Sequence, residues 1–188
     1  MNTKVRLQAQ LKTQGFPKKN KEIAMLKVSL AFVFAALMAG SAAAADIPEG
    51  SQLVTRAKDL AVVDGGNKVF TGKVKIQALS EKLPGMPVAG AYVIFEPGAR
   101  SFWHTHPTGQ VLIIAEGEGR SGVYGQKVSV LKKGDVVVCP KGVKHFHGAA
   151  PDQRMVQMTI TGYDSQGKNV DWMEPVTDEQ YLNVETVK

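Results

Sequence analysis

The chain has 188 residues, 23 Lys and Arg against 17 Asp and Glu, and a formal charge of +6. That length fits one domain, and a composition of 44% hydrophobic and 21% charged residues excludes a disordered or collagen-like chain. Seven of the bases (Lys4, Arg6, Lys12, Lys18, Lys19, Lys21 and Lys27) lie in residues 1–45 against a single acid, Glu22. Residues 46–188 are therefore close to neutral, and no long-range basic field steers them onto a nucleic acid.

Residues 28–39 are an apolar run that follows Lys27 and precedes Gly40-Ser41 and a stretch of alanines. A basic flank, a short apolar core and an Ala-x-Ala exit describe a secretory signal peptide over 1–45. The run is too short to span a bilayer comfortably. Cleavage after Ala44 or Ala45 leaves a mature chain near Asp46, periplasmic or secreted and without stable membrane insertion. Met25-Leu26-Lys27 is an ordinary signal start, and Lys21-Glu22 can be encoded by a purine-rich ribosome-binding sequence. Translation from Met25 is the expectation.

Residues 46–66 read as an extended lead-in. Residues 67–162 read as a run of short strands. Residues 68–78 alternate apolar and polar through Val69, Thr71, Val74 and Ile76, and 91–95 are aromatic and β-branched. Residues 111–115 form a continuous apolar run, and 127–131, 135–139 and 155–161 complete the series. Pro84-Gly85, Pro97-Gly98, Gly117, Gly125, Gly134-Asp135 and Pro140-Lys141-Gly142 punctuate them. Short strands with turn signals between them predict an all-β sandwich or barrel. Cys139 ends an apolar strand and has no partner for a disulfide, so a buried, inert thiol is expected. The tail, 163–188, carries a capping-box pattern at Thr177 and Gln180, which predicts a short helix over 178–184. Trp172 and Tyr181 are expected to pack this tail onto the barrel rather than bind a ligand.

All four histidines of the chain lie between positions 104 and 147. Strand side chains alternate faces with period two, so His104 and His106 share a face, as do His145 and His147. Two such pairs on neighbouring strands can converge on one point. Imidazole is a common ligand for divalent transition metals. Gln110 begins the strand after His106, within reach of the same point. The expected ligand set is His104, His106, Gln110 and His145, with one or two positions left open. His147 is read either as a general acid/base or as a hydrogen bonder behind the ligands. With three neutral imidazoles and the neutral Gln110 amide as ligands, the ion keeps its full charge, which favours an anionic or oxygen-bearing small molecule. Phe102, Leu112, Ile114, Ala91 and Val93 are expected to line the pocket or the core, and Trp103 to face away from the metal. Arg100, Lys132-Lys133, Lys141 and Lys144 are expected to be solvated.

Gly98-Ala-Arg-Ser-Phe-Trp-His104-Thr-His106-Pro-Thr-Gly-Gln110, closing at Gly117, resembles the first cupin motif. Gly134-Asp-Val-Val-Val-Cys-Pro140-Lys-Gly142-Val-Lys-His145 resembles the second. The resemblance implies a single-domain double-stranded β-helix, a jelly-roll-like barrel with a divalent metal in its mouth. Gln110 departs from the usual glutamate ligand, and Ala149 stands where Asn is frequent. The string around His104–Gln110, the segment from Pro140 to Pro151 and the tail 170–181 are similar to a narrower subgroup. It contains small bacterial cupins related to manganese-dependent (R)-mandelonitrile lyases, and cupins found with carboxymuconolactone-decarboxylase-type proteins. That subgroup implies manganese first, with iron, nickel or zinc as alternatives. It implies hydroxynitrile-lyase-like cleavage of a small organic molecule. A dioxygenase, decarboxylase or isomerase, or a non-enzymatic ligand- or metal-binding module, are the alternatives. The lyase branch carries another histidine on the last barrel strand, where this chain has Gln157. Cupins commonly form homodimers or higher homo-oligomers through an N-terminal strand, here expected at 68–78.

Overall fold

A computed structural model describes residues 47–80 and 85–184; the expected signal peptide and the Met25 start lie outside the described residues. Twelve strands follow in chain order: β1 Val62–Asp64, β2 Phe70–Thr71, β3 Val74–Ser80, β4 Val88–Phe95, β5 Arg100–Ser101, β6 His104–Thr105, β7 Gln110–Val123, β8 Val128–Lys132, β9 Val136–Cys139, β10 His145–Ala149, β11 Met155–Gly162 and β12 Asp171–Trp172. One short helix, α1 Asp178–Leu182, closes the order.

The strands form one curled antiparallel sheet with two faces. One face runs β1-β3-β4-β11-β7-β9 and the other β2-β5-β10-β7-β8, with β6 and β12 added beside β10. Strand β7 belongs to both. Its first half pairs with β11 and β9, and its second half with β8 and β10. The bend between the halves is at Gly117, whose φ is +75°. A Cβ there would lie 1.9 Å from the Arg154 carbonyl oxygen, so only glycine lets the corner close. A register shift between Val156 and Gln157 on β11 accommodates the same corner.

The interior is filled by alternate residues of these strands, among them Val74, Ile76, Val93, Phe95, Ile114 and Met155. Phe70 meets Phe95 edge-on at 6.0 Å. A second apolar cluster lies on the outer side of β10, where Phe146 packs with Trp103, Val128, Val176 and Tyr181. Strand β10 is therefore buried on both faces. His145 and His147 point to the interior while Phe146 points to the tail. Trp103 faces away from the histidines, as its parity predicts.

Some local expectations change. Residues 68–78 are not one strand. Gly72, at φ +81°, turns the chain so that β2 and β3 pair on opposite faces of the barrel. The lead-in is partly ordered, because Val62–Asp64 pairs with β3. That pairing covers Lys75–Gln77 of the β3 edge within one chain. Arg100 is buried rather than solvated. Its guanidinium donates to the Val176 carbonyl at 2.9 Å and to Asp178 at 2.6 Å, and it lies against the Tyr181 ring. It fastens the tail and does not face a ligand. Lys144 is also engaged, paired with Glu174 and resting over Tyr124. Helix α1 is shorter than 178–184, but its capping box is complete: Thr177 Oγ1 accepts from the Gln180 amide, and Gln180 Oε1 accepts from the Thr177 amide. Among the described residues, no helix is long and apolar enough to cross a membrane.

Candidate metal centre

The antiparallel pairing of β10 with β6 sets His145 directly across from His104. His147 follows two residues later on the same face, and His106 lies just beyond β6. All four side chains are buried. The rings are in contact around His104: 4.3 Å to His145, 5.1 Å to His106 and 5.1 Å to His147 between centroids. His104, His145 and His147 each offer a ring nitrogen, all within 4.8 Å of one another. The four histidines that sequence spacing singled out are thus brought to one place, together with Gln110.

Backbone carbonyls orient three of the rings. His104 Nδ1 lies 2.9 Å from the Phe102 oxygen, His145 Nδ1 lies 2.9 Å from the Val143 oxygen, and His106 Nδ1 lies 2.5 Å from the Asn169 oxygen. A carbonyl only accepts, so each Nδ1 carries the hydrogen and each Nε2 presents a lone pair to the interior. His104 Nε2 and His106 Nε2 are buried without a hydrogen-bond partner. His145 Nε2 faces Gln110 Oε1 at 3.4 Å. The Gln110 amide nitrogen donates to Thr161 Oγ1 at 3.2 Å, which turns its oxygen toward the histidines. Two acceptors facing each other in a buried site have nothing to share unless a cation or a proton lies between them. The donor set therefore fits a divalent metal ion: neutral imidazole nitrogens and an amide oxygen, held by hydrogen bonds behind them.

His147 differs. Its Nδ1 accepts from the Gln157 amide nitrogen at 2.8 Å, so its hydrogen is on Nε2. Gln157 is fully buried and its Oε1 has no partner. Rotating that amide would make Oε1 the acceptor of a hydrogen on Nδ1, so one side chain can hold either tautomer of His147.

Burial lowers the pKa of all four imidazoles. His145 falls to about 4. His104 and His147 fall well below the ordinary histidine value, pushed further by their neighbouring rings. His106 is lowered by burial and partly restored by its bond to the Asn169 carbonyl. Neutral rings at neutral pH are the form that a metal ion needs.

The cavity beside the histidines has a volume of about 50 Å³. Its walls are Phe70, Ile76 and Val93, then Thr159 and Thr161 of β11, then Asn169, Val170 and Trp172 of the tail, and they include no carboxylate. Of the residues expected to line the pocket, Val93 does so. Leu112, Ile114 and Ala91 are core, and Phe102 is not in the lining. Trp172 packs the tail against the barrel core as expected, and its ring also lies 4.8 Å from His104 and forms part of the cavity wall. Sequence spacing missed this wall because Trp172 sits 68 residues from its partner, in a tail with no motif. Tyr181 does pack the tail, donating to the Ala149 carbonyl at 2.6 Å.

Comparison with known proteins agrees with this architecture. The family described as Cupin domain matches residues 91–161. An (R)-mandelonitrile lyase of Granulicella tundricola is 51% identical over 112 residues, covering 60% of this chain and 85% of that protein. A germin-like protein of Arabidopsis thaliana, subfamily 1 member 4, is 32% identical and matches 47% of this chain and 45% of its own length. Among solved structures, a cupin-like protein of Thermotoga maritima superposes with a TM-score of 0.60 at 40% identity, over 65% of this chain and 92% of that one.

Proposed function

Because the chain belongs to the cupin family, we propose that its buried histidine cluster holds a divalent metal ion and that the protein is a metal-dependent lyase acting on a small 2-hydroxynitrile. One observation carries the metal reading: unpartnered Nε2 lone pairs on His104 and His106 point inward, and His145 Nε2 and Gln110 Oε1 face each other as acceptors. The same four residues form the proposed ligand set, with manganese the first candidate and iron, nickel and zinc after it. The ion would supply Lewis acidity at a full double charge, since every ligand is neutral. The lyase reading draws on the relative from Granulicella tundricola, whose name is that of such an enzyme.

His147 is the proposed catalytic residue. With Gln157 Oε1 accepting from Nδ1, the Nε2 lone pair takes the hydroxyl proton of the substrate. The C–C bond then breaks with its electron pair on cyanide, and the carbonyl forms. His147 returns the proton to cyanide. Ile76, Val93 and Phe70 exclude water from the organic part of the substrate.

A second reading is favoured by the 4.8 Å grouping of His104, His145 and His147. In it these three are the ligands and the protein holds a metal without turnover. Metal analysis separates the two. The lyase reading expects stoichiometric metal in the wild type, loss in His104→Ala and His106→Ala, and retention in His147→Gln with cyanide release abolished. Loss of metal in His147→Gln with retention in His106→Ala would overturn it.

Export through the 1–45 leader is part of the proposal, as is a homo-oligomer. Support for the oligomer comes from the outer face of β9, β7 and β11, where Val136, Val138 and Ile160 are exposed beside Val111, Ile113 and Met158.

A further inference from the structure

Strand β11 carries a polar stripe along an otherwise apolar interior face. Gln157, Thr159 and Thr161 follow one another at period two, and all three are buried. A buried polar group costs stability unless a hydrogen bond satisfies it. Valine suits a strand as well as threonine does, so each hydroxyl here calls for a partner. Two members of the stripe use theirs within the protein. Gln157 donates to His147 Nδ1 at 2.8 Å, and Thr159 Oγ1 donates to the Ala91 carbonyl at 3.3 Å.

Thr161 differs. The register of β11 with β7 sets it across from Gln110, and its Oγ1 accepts from the Gln110 amide nitrogen at 3.2 Å. A hydroxyl that accepts a hydrogen bond still carries a hydrogen of its own to donate. Among the described residues no acceptor takes that hydrogen. Thr161 is 7% exposed, and it lines the cavity together with His104, His106, Gln110 and His147. No carboxylate lies in that wall to receive the hydrogen. An unused donor therefore sits beside the histidine cluster, on a strand that holds it rigidly.

We infer that Thr161 is a ligand-binding residue: its hydroxyl donates to an acceptor atom of the small molecule held in this cavity, while its oxygen holds the Gln110 amide. The ligand class is one with an accepting oxygen or nitrogen, such as a 2-hydroxynitrile, cyanide or a carboxylate. A fixed neutral donor stabilises negative charge on such a ligand without adding a titrating group to the site. One hydroxyl thus touches both the proposed ligand set of the metal and the bound molecule. This assignment rests on the metal reading above and adds a second point of recognition to it.

The test loads the protein with excess cobalt(II) and reads its visible absorption during titration with acetate. Thr161→Ser keeps the hydroxyl and is expected to bind acetate within about threefold of the wild type. Thr161→Val keeps the shape without the hydroxyl and is expected to bind acetate at least about tenfold more weakly. Gln110→Ala separates direct contact from positioning: on that background, adding Thr161→Val should again weaken acetate by about tenfold. Thr161→Ala decides the matter if Thr161→Val does not fold. Acetate affinity unchanged by loss of the hydroxyl, weakened only while Gln110 is present, or undetectable in the cobalt-loaded wild type overturns the proposal while the metal reading stands. Failure of the wild type to take up cobalt overturns the metal reading and this proposal with it.

Discussion

Acid should unfold the metal-free protein through its buried histidines. In the unfolded chain a histidine titrates near the ordinary value of about 6.5, whereas His145 in the fold titrates near 4 because burial penalises its charged form. Between these values the unfolded state binds the extra proton, so stability rises with pH and is lost as pH falls below about 6.5. For His145 alone the loss is about 2 kcal/mol at pH 5 and about 3 kcal/mol at pH 4. The side chain is 1% exposed, so solvent screening does not reduce the figure much. His104 and His147 act in the same direction. Against a typical total stability of about 5–15 kcal/mol, the combined effect is large. Ordinary carboxylates titrate mostly below pH 5, so the interval from pH 7 to pH 5 isolates the histidines. Urea unfolding of metal-free protein, followed by tryptophan fluorescence, should show the midpoint falling steeply over that interval. His145→Gln should flatten the dependence by about 2 kcal/mol. A midpoint equal at pH 7 and pH 5 would refute the claim that these rings are buried in the neutral form.

Two further predictions concern the barrel. Gly117→Ala places a methyl group 1.9 Å from the Arg154 carbonyl oxygen at a left-handed backbone position; a loss of about 3 kcal/mol or more and a fall in melting temperature of roughly 10 °C are expected by calorimetry, and a change within about 2 °C would show that the β7 corner is not closed as described. Burial pushes the Cys139 thiol up to about 11, so a thiol reagent at pH 8 should react more than about a hundredfold faster in urea than in the native state, and equal rates would contradict the buried placement.

The local chemistry of this protein was legible along the chain. The period-two spacing of His145 with His147 placed both rings on the interior face of β10 without any structure, because strand geometry alone sets which side chains share a face; His104 and His106 carry the same spacing, although His106 lies just beyond β6. The turn glycines and the Thr177–Gln180 capping box were readable for the same reason: they are satisfied by residues a few positions apart. What lies far apart in sequence was not readable. Arg100 reads as a solvated loop charge until Val176 and Asp178 are folded against it. Gly72 splits an alternating stretch into two strands by turning the chain at φ +81°, and only glycine fits there because a Cβ would lie 2.9 Å from Ala99, a contact no local pattern reveals. The tautomer of His106 is set by the Asn169 carbonyl across 63 positions, and that of His147 by Gln157. Trp172 becomes a wall of the site only when β12 is laid against β6. Sequence alone determined which donors are available and that they converge. Tertiary contact decided which lone pairs point inward, how much space remains beside them and which tail residue bounds it, because those properties belong to pairs of groups that only the folded chain brings together.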